Sequence, residues 1–354
     1  MENVYDLLIK RESFSFKEEN YLPQIKDFIN SQILPANGAI QLFNIKTTIE
    51  LIALPEICNL INLQRINDIR WINRFFEILN RKLPVGGIFV SCVEIYSQRK
   101  RRIENKYPKV ISELYLGLSF ILNRVVPRLN LTRGFYSYLT KGNNRIMSKA
   151  EAFGRLVASG FEILGCEYIN NLLYFVAKKV KEPCCDPNPT YGFLVKLKRL
   201  GKNGKVINLY KLRTMHPYSE YLQEYIYKCN NVDKGGKFKD DFRIATWGRI
   251  LRRLWIDELP MLINFIKRDL KLVGIRPLSA QYFNLYPTCY RERRLKYKPG
   301  LIPPYYADDP KTIDEITASE EKYLDQYDKH PFLTDTKYFF RVFCNIVFKG
   351  VRSR

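Results

Sequence analysis

The chain has 354 residues, which is long enough for two domains, and its 58 Lys and Arg against 36 Asp and Glu give a net charge of +22. The basic excess falls mainly in the second half, which predicts an anionic partner there, such as phosphates or an acidic membrane surface. Eight cysteines without a C-x-x-C pair and only two histidines argue against a zinc site and a histidine triad.

No stretch of the sequence resembles a transmembrane helix, which needs roughly 20 consecutive apolar residues. The longest uncharged run, Phe28–Ile45, is interrupted by Asn, Ser, Gln, Pro and Gly. The N-terminus also lacks a leader-like pattern. We therefore expect reduced cysteines, a location on the cytosolic side and, at most, peripheral contact with a membrane.

Residues 1–180 are predicted to form an α/β domain. Its predicted elements are a strand at Gly38–Ile45, a helix at Ile66–Leu79, a buried strand at Val85–Val93, a helix from the capping box Ser148–Glu151 to Gly160, and a strand pair at Phe161–Leu164 and Leu172–Ala177. This order resembles the second half of a Rossmann-type methyltransferase. No G-x-G-x-x-G follows an early strand, so we favour a degenerate scaffold over a working S-adenosylmethionine enzyme.

Two segments combine apolar and aromatic residues with basic flanks. In Glu113–Leu139, one predicted helical face is apolar, and Arg124, Arg128 and Arg133 surround it. The second segment is the C-terminal helix predicted at Lys337–Lys349. Such a face suits a membrane interface or an ordinary docking helix equally well. The aromatic density of the second segment favours the membrane surface.

The junction between two domains is predicted at the Pro-rich segment Lys181–Pro189, which cannot continue a helix or a central strand. Residues 181–354 would then form the second domain. After the junction, Phe193–Arg199 and Val206–Tyr210 read as a β-hairpin closed by a glycine turn. We expect a mobile loop at Asn230–Asp241, because it contains two adjacent glycines and mixed charges.

The stretch Asp240–Pro277 places two carboxylates between arginines. A basic helix at Trp247–Leu254 is predicted to precede the break Asp257–Pro260, and a second helix would follow at Met261–Lys267, with Pro260 in its first turn. A short strand at 272–274 then leads to Arg276. Asp257 and Glu258 can be read as a helix cap or as part of a phosphate site flanked by Arg252, Arg253 and Arg276.

Three motifs of this stretch together resemble the bacterial sugar transferases, which are monotopic phosphoglycosyl transferases acting on polyprenyl phosphate. The motifs are Leu-Arg-Arg at 251–253, Asp-Glu-Leu-Pro at 257–260 and Leu-Val-Gly-x-Arg-Pro at 272–277. Further matches are the Gly-rich hairpin at 200–205, the segment Tyr210–Met215 and Tyr-Lys-Pro-Gly at 297–300. The resemblance covers about residues 180–354. It implies a mixed α+β catalytic core with C-terminal amphipathic helices, following the partial Rossmann-like domain.

The resemblance also implies a chemistry and a set of roles. Asp257 would attack the sugar-bearing phosphate of a nucleoside diphosphate sugar, which by the family pattern is a uridine diphosphate sugar, and would then pass the phosphosugar to a polyprenyl phosphate. Asp257 and Glu258 would bind Mg²⁺, and Arg252, Arg253 and Arg276 would hold phosphates with support from Lys211 and Arg213. The location implied is the cytoplasmic face of the bacterial inner membrane, as an early step of lipid-linked glycan or exopolysaccharide synthesis.

The sequence departs from the family pattern in two places. It lacks the hydrophobic re-entrant helix that normally precedes the core, and Ile302–Tyr306 replaces the usual Gly-Leu-x-Gln run. A non-catalytic, membrane-docked scaffold of a glycan-assembly complex is therefore the alternative. A nucleic-acid-binding protein is disfavoured, because no RNP, zinc-finger or helix-turn-helix signature appears.

Overall fold

The computed structural model describes residues 22–32, 40–129, 132–184, 192–229, 241–308, 310 and 312–348. The chain divides into two compact units. The first comprises Met1–Tyr191 with His216–Cys229, and the second comprises Gly192–Met215 with Asn230–Arg354. The predicted linker and the predicted loop at 230–241 lie largely outside the described residues.

The first unit is built on a sheet of five strands within the described residues. The strands are β1 (Ile40–Phe43), β2 (Asn59–Arg65), β3 (Ile88–Val93), β4 (Phe161–Ile169) and β5 (Leu172–Lys179). Their order is β1-β2-β3-β5-β4, in which the first three are parallel and β5 runs antiparallel to both of its neighbours. The two predicted strands and the strand pair are thus confirmed, although residues 38–39 lie outside the described residues, and β2 was not predicted.

Helices cover both faces of this sheet, and their bounds follow. They are α1 (Leu22–Gln32), α2 (Thr48–Ala53), α3 (Ile72–Lys82), α4 (Tyr96–Glu104), α5 (Lys109–Phe120), α6 (Arg133–Thr140), α7 (Lys149–Ala158) and α8 (Gln223–Cys229). On one face Phe28 and Ile29 of α1 join the core of Val90 and Val176. On the other face the ring of Phe89 meets Phe76, Phe161 and Phe175. A sheet buried between two helical layers confirms the α/β class.

The helix predicted over Ile66–Leu79 was wrong in its start. A single 3₁₀ turn, Ile66–Asp68, precedes α3, which begins only at Ile72. The side chains of the turn bond away from it: Asn67 Nδ2 donates to the Glu94 carbonyl at 2.9 Å, and Asp68 Oδ1 accepts from the Asn144 N–H at 2.8 Å. Such bonds to other segments compete with helix formation.

The predicted start of α7 is confirmed in part. Ser148 Oγ accepts from the Glu151 N–H at 3.2 Å, and Gly160 closes the helix with φ +86°. The Glu151 carboxylate, however, turns away from the cap and pairs with Arg124 and Arg155. The capping box is therefore only half formed.

The segment predicted as one helical face at Glu113–Leu139 is interrupted. Helix α5 ends at Phe120 and continues as a π-helical turn, Ile121–Val125, and a 3₁₀ turn, Val126–Arg128, before α6. The apolar residues of α5 are largely solvent-exposed. They are Val110, Ile111, Leu114, Tyr115 and Leu118.

The second unit combines two small sheets with helices. Its elements are β6 (Leu194–Leu200), β7 (Val206–Leu212), α9 (Thr246–Arg253), α10 (Leu262–Ile266), β8 (Lys271–Val273), α11 (Ala280–Phe283), α12 (Thr288–Leu295), β9 (Gly300–Ile302), α13 (Ile313–Lys329) and α14 (Pro331–Phe348). β6 and β7 form the predicted antiparallel hairpin, and β8 pairs in parallel with β9. The predicted C-terminal helix is confirmed and starts earlier, at Pro331.

The core of the second unit is rich in tyrosine. Tyr290, Tyr323 and Tyr338 are almost fully buried, and α13 and α14 pack this cluster against β8. A buried ion pair between Arg294 and Glu320 lies inside it. Throughout the described residues, every helix is too short or too polar to cross a bilayer.

Candidate active site

The carboxylate pair lies on a 3₁₀ helix of the second unit, Ile256–Met261. The break predicted here was wrong, because Pro260 lies inside this 3₁₀ helix. The second helix is confirmed as α10, one residue shorter at each end than predicted. The chain enters the 3₁₀ helix through Trp255, whose φ of +60° is unusual for a residue with a side chain. This sharp entry directs the next two acidic residues inward.

Asp257 is the buried member of the pair, with 5 % of its surface exposed. Its Oδ1 atom is buried and has no hydrogen-bond partner. Neither the 3₁₀ helix nor α10 receives a side-chain cap, so the helix-cap reading is not supported. Burial raises the pKa of Asp257, and the neighbouring Glu258 raises it further, while Lys211 and Arg252 lower it.

Glu258 is held by a lysine from the neighbouring hairpin. Lys211 Nζ lies 2.6 Å from Glu258 Oε1, and both side chains are mostly buried. Strand β7 supplies Lys211, and Asn264 of α10 fastens that strand by accepting from the Tyr210 N–H at 3.0 Å and donating to the Asn208 carbonyl at 2.8 Å. The hairpin therefore positions a positive charge beside the two carboxylates.

Arg252 reaches the site from α9. Its Nε donates to Thr214 Oγ1 at 2.9 Å, and Gly248 allows the helix to approach so closely, since a Cβ there would lie 2.0 Å from the Thr214 carbonyl oxygen. Burial lowers the pKa of Arg252, while the negative charges of Asp257 and Asp241 raise it. Arg253, the next residue on the helix, is exposed.

Arg276 approaches from the opposite end of the motif, after β8. The backbones of β8 and β9 come so close that a Cβ on Gly300 would lie 2.1 Å from the Gly274 nitrogen. The pKa of Arg276 is raised: burial lowers it, but the interactions with Tyr305, Tyr306 and Glu258 outweigh that effect. The negative charge of Glu258 thus acts on Arg276, and that of Asp257 acts on Arg252.

The structure adds residues that the sequence reasoning missed. The guanidinium of Arg276 lies 6.0 Å from the ring centre of Tyr305. Burial lowers the pKa of Arg199, and the positive charge of Arg276 lowers it further. The fold alone brings Arg199 of β6 to Arg276, so no local motif could have revealed it.

A second missed feature is the buried pair of Asp241 and Arg243. Arg243 Nε and Nη2 lie 2.9 Å and 2.7 Å from the two Asp241 oxygens. Both charges influence Arg252. Asp241, which the sequence had assigned to a mobile loop, is therefore buried and forms part of the support for Arg252.

The predicted residues divide into a cluster and two outliers. Asp257, Glu258, Lys211 and Arg252 interact with one another, and Arg276 joins them through Glu258. Arg213 is buried and its Nε donates to the Gly192 carbonyl at 2.9 Å, which fastens the start of the hairpin. Its role as a supporting contact, and that of the exposed Arg253 in phosphate binding, stay predictions.

The arrangement of motifs agrees with a comparison against protein families. The model of the family described as bacterial sugar transferase matches residues 172–349. The chain belongs to this bacterial sugar transferase family. The match begins at β5, a strand of the first unit's sheet, and includes the whole of α14.

Several curated proteins resemble parts of this family member. It is 42% identical over 103 residues to the uncharacterized sugar transferase EpsL of Bacillus subtilis, covering 29% of this chain and 45% of the relative. Identity is 33% over 134 residues (36% and 29%) with galactosyl transferase CpsE of Streptococcus agalactiae. It is 34% over 105 residues (29% and 36%) with UDP-glucose:undecaprenyl-phosphate glucose-1-phosphate transferase of Caulobacter vibrioides. The chain spans less than half the length of each of these three relatives.

Proposed function

We propose that the chain is a phosphoglycosyl transferase in which Asp257 is the nucleophile. The observation that supports this role most directly is the buried Asp257 Oδ1, which has no hydrogen-bond donor and lies among Lys211, Arg252 and Glu258. A buried carboxylate oxygen without a donor is costly to a fold and needs a reason. Attack on phosphorus requires a carboxylate oxygen whose lone pairs are not already taken by hydrogen-bond donors.

The reaction takes place in two displacements. In the first, an oxygen of Asp257 bonds to the sugar-bearing phosphorus of a nucleoside diphosphate sugar, and the bond from that phosphorus to the bridging oxygen breaks, so that a nucleoside monophosphate leaves. In the second, an oxygen of polyprenyl phosphate attacks the same phosphorus and displaces Asp257. The product is a polyprenyl diphosphate sugar, and the carboxylate is regenerated.

The basic residues supply the electrostatics that this sequence needs. Arg252 donates to Thr214 Oγ1 and is attracted by Asp257, while Arg276 is attracted by Glu258 and repelled by Arg199. Their guanidinium groups can bind phosphate oxygens bidentately and offset the charge that develops at phosphorus. Lys211 balances Glu258 and so limits its repulsion of Asp257.

Mg²⁺ fits this donor set only together with a substrate. No group of three or more His, Cys, Asp or Glu side chains that could hold a metal occurs among the described residues. Asp257, with its donor-free buried oxygen, and Glu258 would provide carboxylate ligands, and substrate phosphates would complete the shell, as Mg²⁺ commonly prefers. The ion would neutralise charge on the diphosphate.

A membrane surface suits the elements that carry the site. Helix α9 turns Gly248 and Arg252 toward Thr214 and exposes Trp247, Ile250 and Leu254. Helix α10 exposes Ile266 to 77%. Apolar side chains around a basic site match an anionic acceptor whose tail stays in the lipid. We therefore place the protein peripherally at the cytoplasmic face of the inner membrane, in lipid-linked polysaccharide synthesis.

The test is release of a nucleoside monophosphate from a panel of uridine diphosphate sugars with Mg²⁺, liposomes and a polyprenyl phosphate. We expect release with one sugar, dependent on the lipid and lost in Asp257→Asn, which keeps the shape of the side chain and removes its charge. Absence of release from every sugar, with a folded protein that floats with liposomes, would refute the transferase and leave the membrane-docked scaffold.

A further inference from the structure

We propose that the first unit has a binding site of its own, for a phosphate-bearing small molecule, in a cavity outside the transferase motifs. The cavity has a volume of about 480 Å³, which is within the range of small-molecule sites. Five arginines and two glutamates contribute to its lining, a net charge of +3. The arginines are Arg70, Arg74, Arg124, Arg145 and Arg155.

The position of the cavity within the α/β unit favours a ligand. It lies against Ile72, Asn73 and Arg74, the first turn of α3, which follows β2 through the 3₁₀ turn Ile66–Asp68. Trp71, the residue before that helix, offers no side-chain hydrogen bond to it. Ligands of open parallel sheets bind beyond the carboxyl ends of the strands, where helix N-termini favour anions.

The glutamates of the lining do not neutralise its arginines. Arg124 and Arg155 both pair with the buried Glu151, so this group of three keeps one positive charge. Among the described residues, Arg70 and Arg74 form no ion pair, and both are exposed. The network around Glu151 links Arg124 of the π-helical turn to Arg155 of α7, but it does not require these two arginines.

The remaining lining indicates what the arginines would hold. The Arg70 guanidinium lies 5.2 Å from the ring centre of Trp71, a residue that also lines the cavity and is 46% exposed. Arginine forks recognise phosphate oxygens bidentately, and an adjacent aromatic ring adds a surface for an organic group. A nucleotide, a sugar phosphate or diphosphate itself shares this chemistry.

Trp71 provides the readout, since it is the single tryptophan of the first unit, and the other two, Trp247 and Trp255, belong to the second. The full chain is titrated without metal with diphosphate, UDP, UMP, glucose 1-phosphate and, as an uncharged control, uridine, while its fluorescence is followed. We expect a saturable change with at least one phosphate probe and none with uridine. The part of the change that belongs to Trp71, which is the wild-type signal minus that of Trp71→Phe, should itself be saturable.

Substitutions locate the binding. Losing one charge-assisted contact should weaken the Kd about 10-fold to 100-fold in Arg70→Ala and Arg74→Ala. Arg81→Ala is the matched control, because Arg81 is an exposed residue of the same helix outside the cavity, and it should bind like the wild type. All four exchanges concern exposed side chains and leave the Glu151 network intact.

Three results would overturn the proposal. They are the absence of saturation by any phosphate probe at millimolar concentration, equal affinities of the Arg74→Ala and Arg81→Ala variants, and a fluorescence change in Trp71→Phe as large as that of the wild type, which would then arise entirely at Trp247 and Trp255. Comparison of diphosphate with UDP distinguishes recognition of the phosphate alone from recognition of a whole nucleotide. A failed transferase assay would leave this test unaffected, because the binding is read in the first unit.

Discussion

Replacing Lys211 by methionine tests how the site holds two adjacent carboxylates. The lysine lies 2.6 Å from Glu258, with side-chain exposures of 20% and 13%. Breaking a fully buried ion pair costs about 3–5 kcal/mol and an exposed one about 0–1 kcal/mol. For a mostly but not fully buried pair we expect a loss of about 2 kcal/mol in the free energy of unfolding, between those limits.

The same substitution should change the pH dependence of activity. Lys211 lowers the pKa of Asp257, which burial and Glu258 already raise, so its removal raises that pKa further. The nucleophile must be ionised, and the acid limb of the pH–rate profile should therefore move to higher pH. Urea unfolding measures the loss of stability, at about pH 7.5 so that ordinary carboxylates are ionised. Nucleoside monophosphate release, measured across the acid range, gives the pH–rate profile.

The control is Lys205→Met, which replaces an exposed lysine at the start of β7, next to the hairpin turn. It should alter neither the unfolding free energy nor the pH profile. If Lys211→Met behaves like Lys205→Met in both assays, the pair seen between β7 and the 3₁₀ helix does not tune Asp257, and our electrostatic account of the site is wrong.

Three further predictions concern single positions. Asp257→Asn should raise the melting temperature at neutral pH and leave it unchanged below about pH 3.9, the unfolded-state pKa of Asp. The reason is that the folded-state pKa of Asp257 is raised, so ionisation of this carboxylate destabilises the folded protein. Equal shifts of the melting temperature at both pH values would contradict this. Gly248→Ala should lower the unfolding free energy by about 1–3 kcal/mol through overpacking. Gly117→Ala should raise it by about 0.5–1 kcal/mol, because a Cβ at this position of α5 meets open space. Chemical denaturation of both variants tests whether the two effects have opposite signs. Arg276→Lys should lower kcat/KM, measured at saturating lipid, by about 10-fold to 100-fold, because lysine cannot form the second hydrogen bond of a bidentate phosphate contact. If Arg253→Lys, at an exposed position, lowers kcat/KM more than Arg276→Lys does, our assignment of Arg276 to phosphate binding is wrong.

The sequence predicted the parts of the fold that follow from local patterns. The hairpin at β6 and β7, the buried strand β3 and the glycine end of α7 each depend on neighbouring residues, and all three are present. Predicted helix boundaries were wrong where contacts with distant segments of the chain decide the local structure. The turn before α3 is an example, because Asn67 and Asp68 bond to segments far along the chain.

The same distinction applies to the site. Asp257, Glu258 and the two motif arginines were recognisable because three motifs stand in one order within a short stretch. Arg199 and Tyr305 were not, since only the pairing of β8 with β9 and the packing of the hairpin bring them near Arg276. The cavity of the first unit was equally hidden, because its arginines are scattered between positions 70 and 155.

The central claim is that Asp257 carries the phosphosugar, and intact-protein mass spectrometry after incubation with the active uridine diphosphate sugar, without lipid acceptor, tests it most directly. We predict an added mass equal to one sugar phosphate, located on the peptide that contains Asp257, released by polyprenyl phosphate and absent from Asp257→Asn. Turnover with lipid but no adduct at any time, or an adduct that survives in Asp257→Asn, would contradict the account.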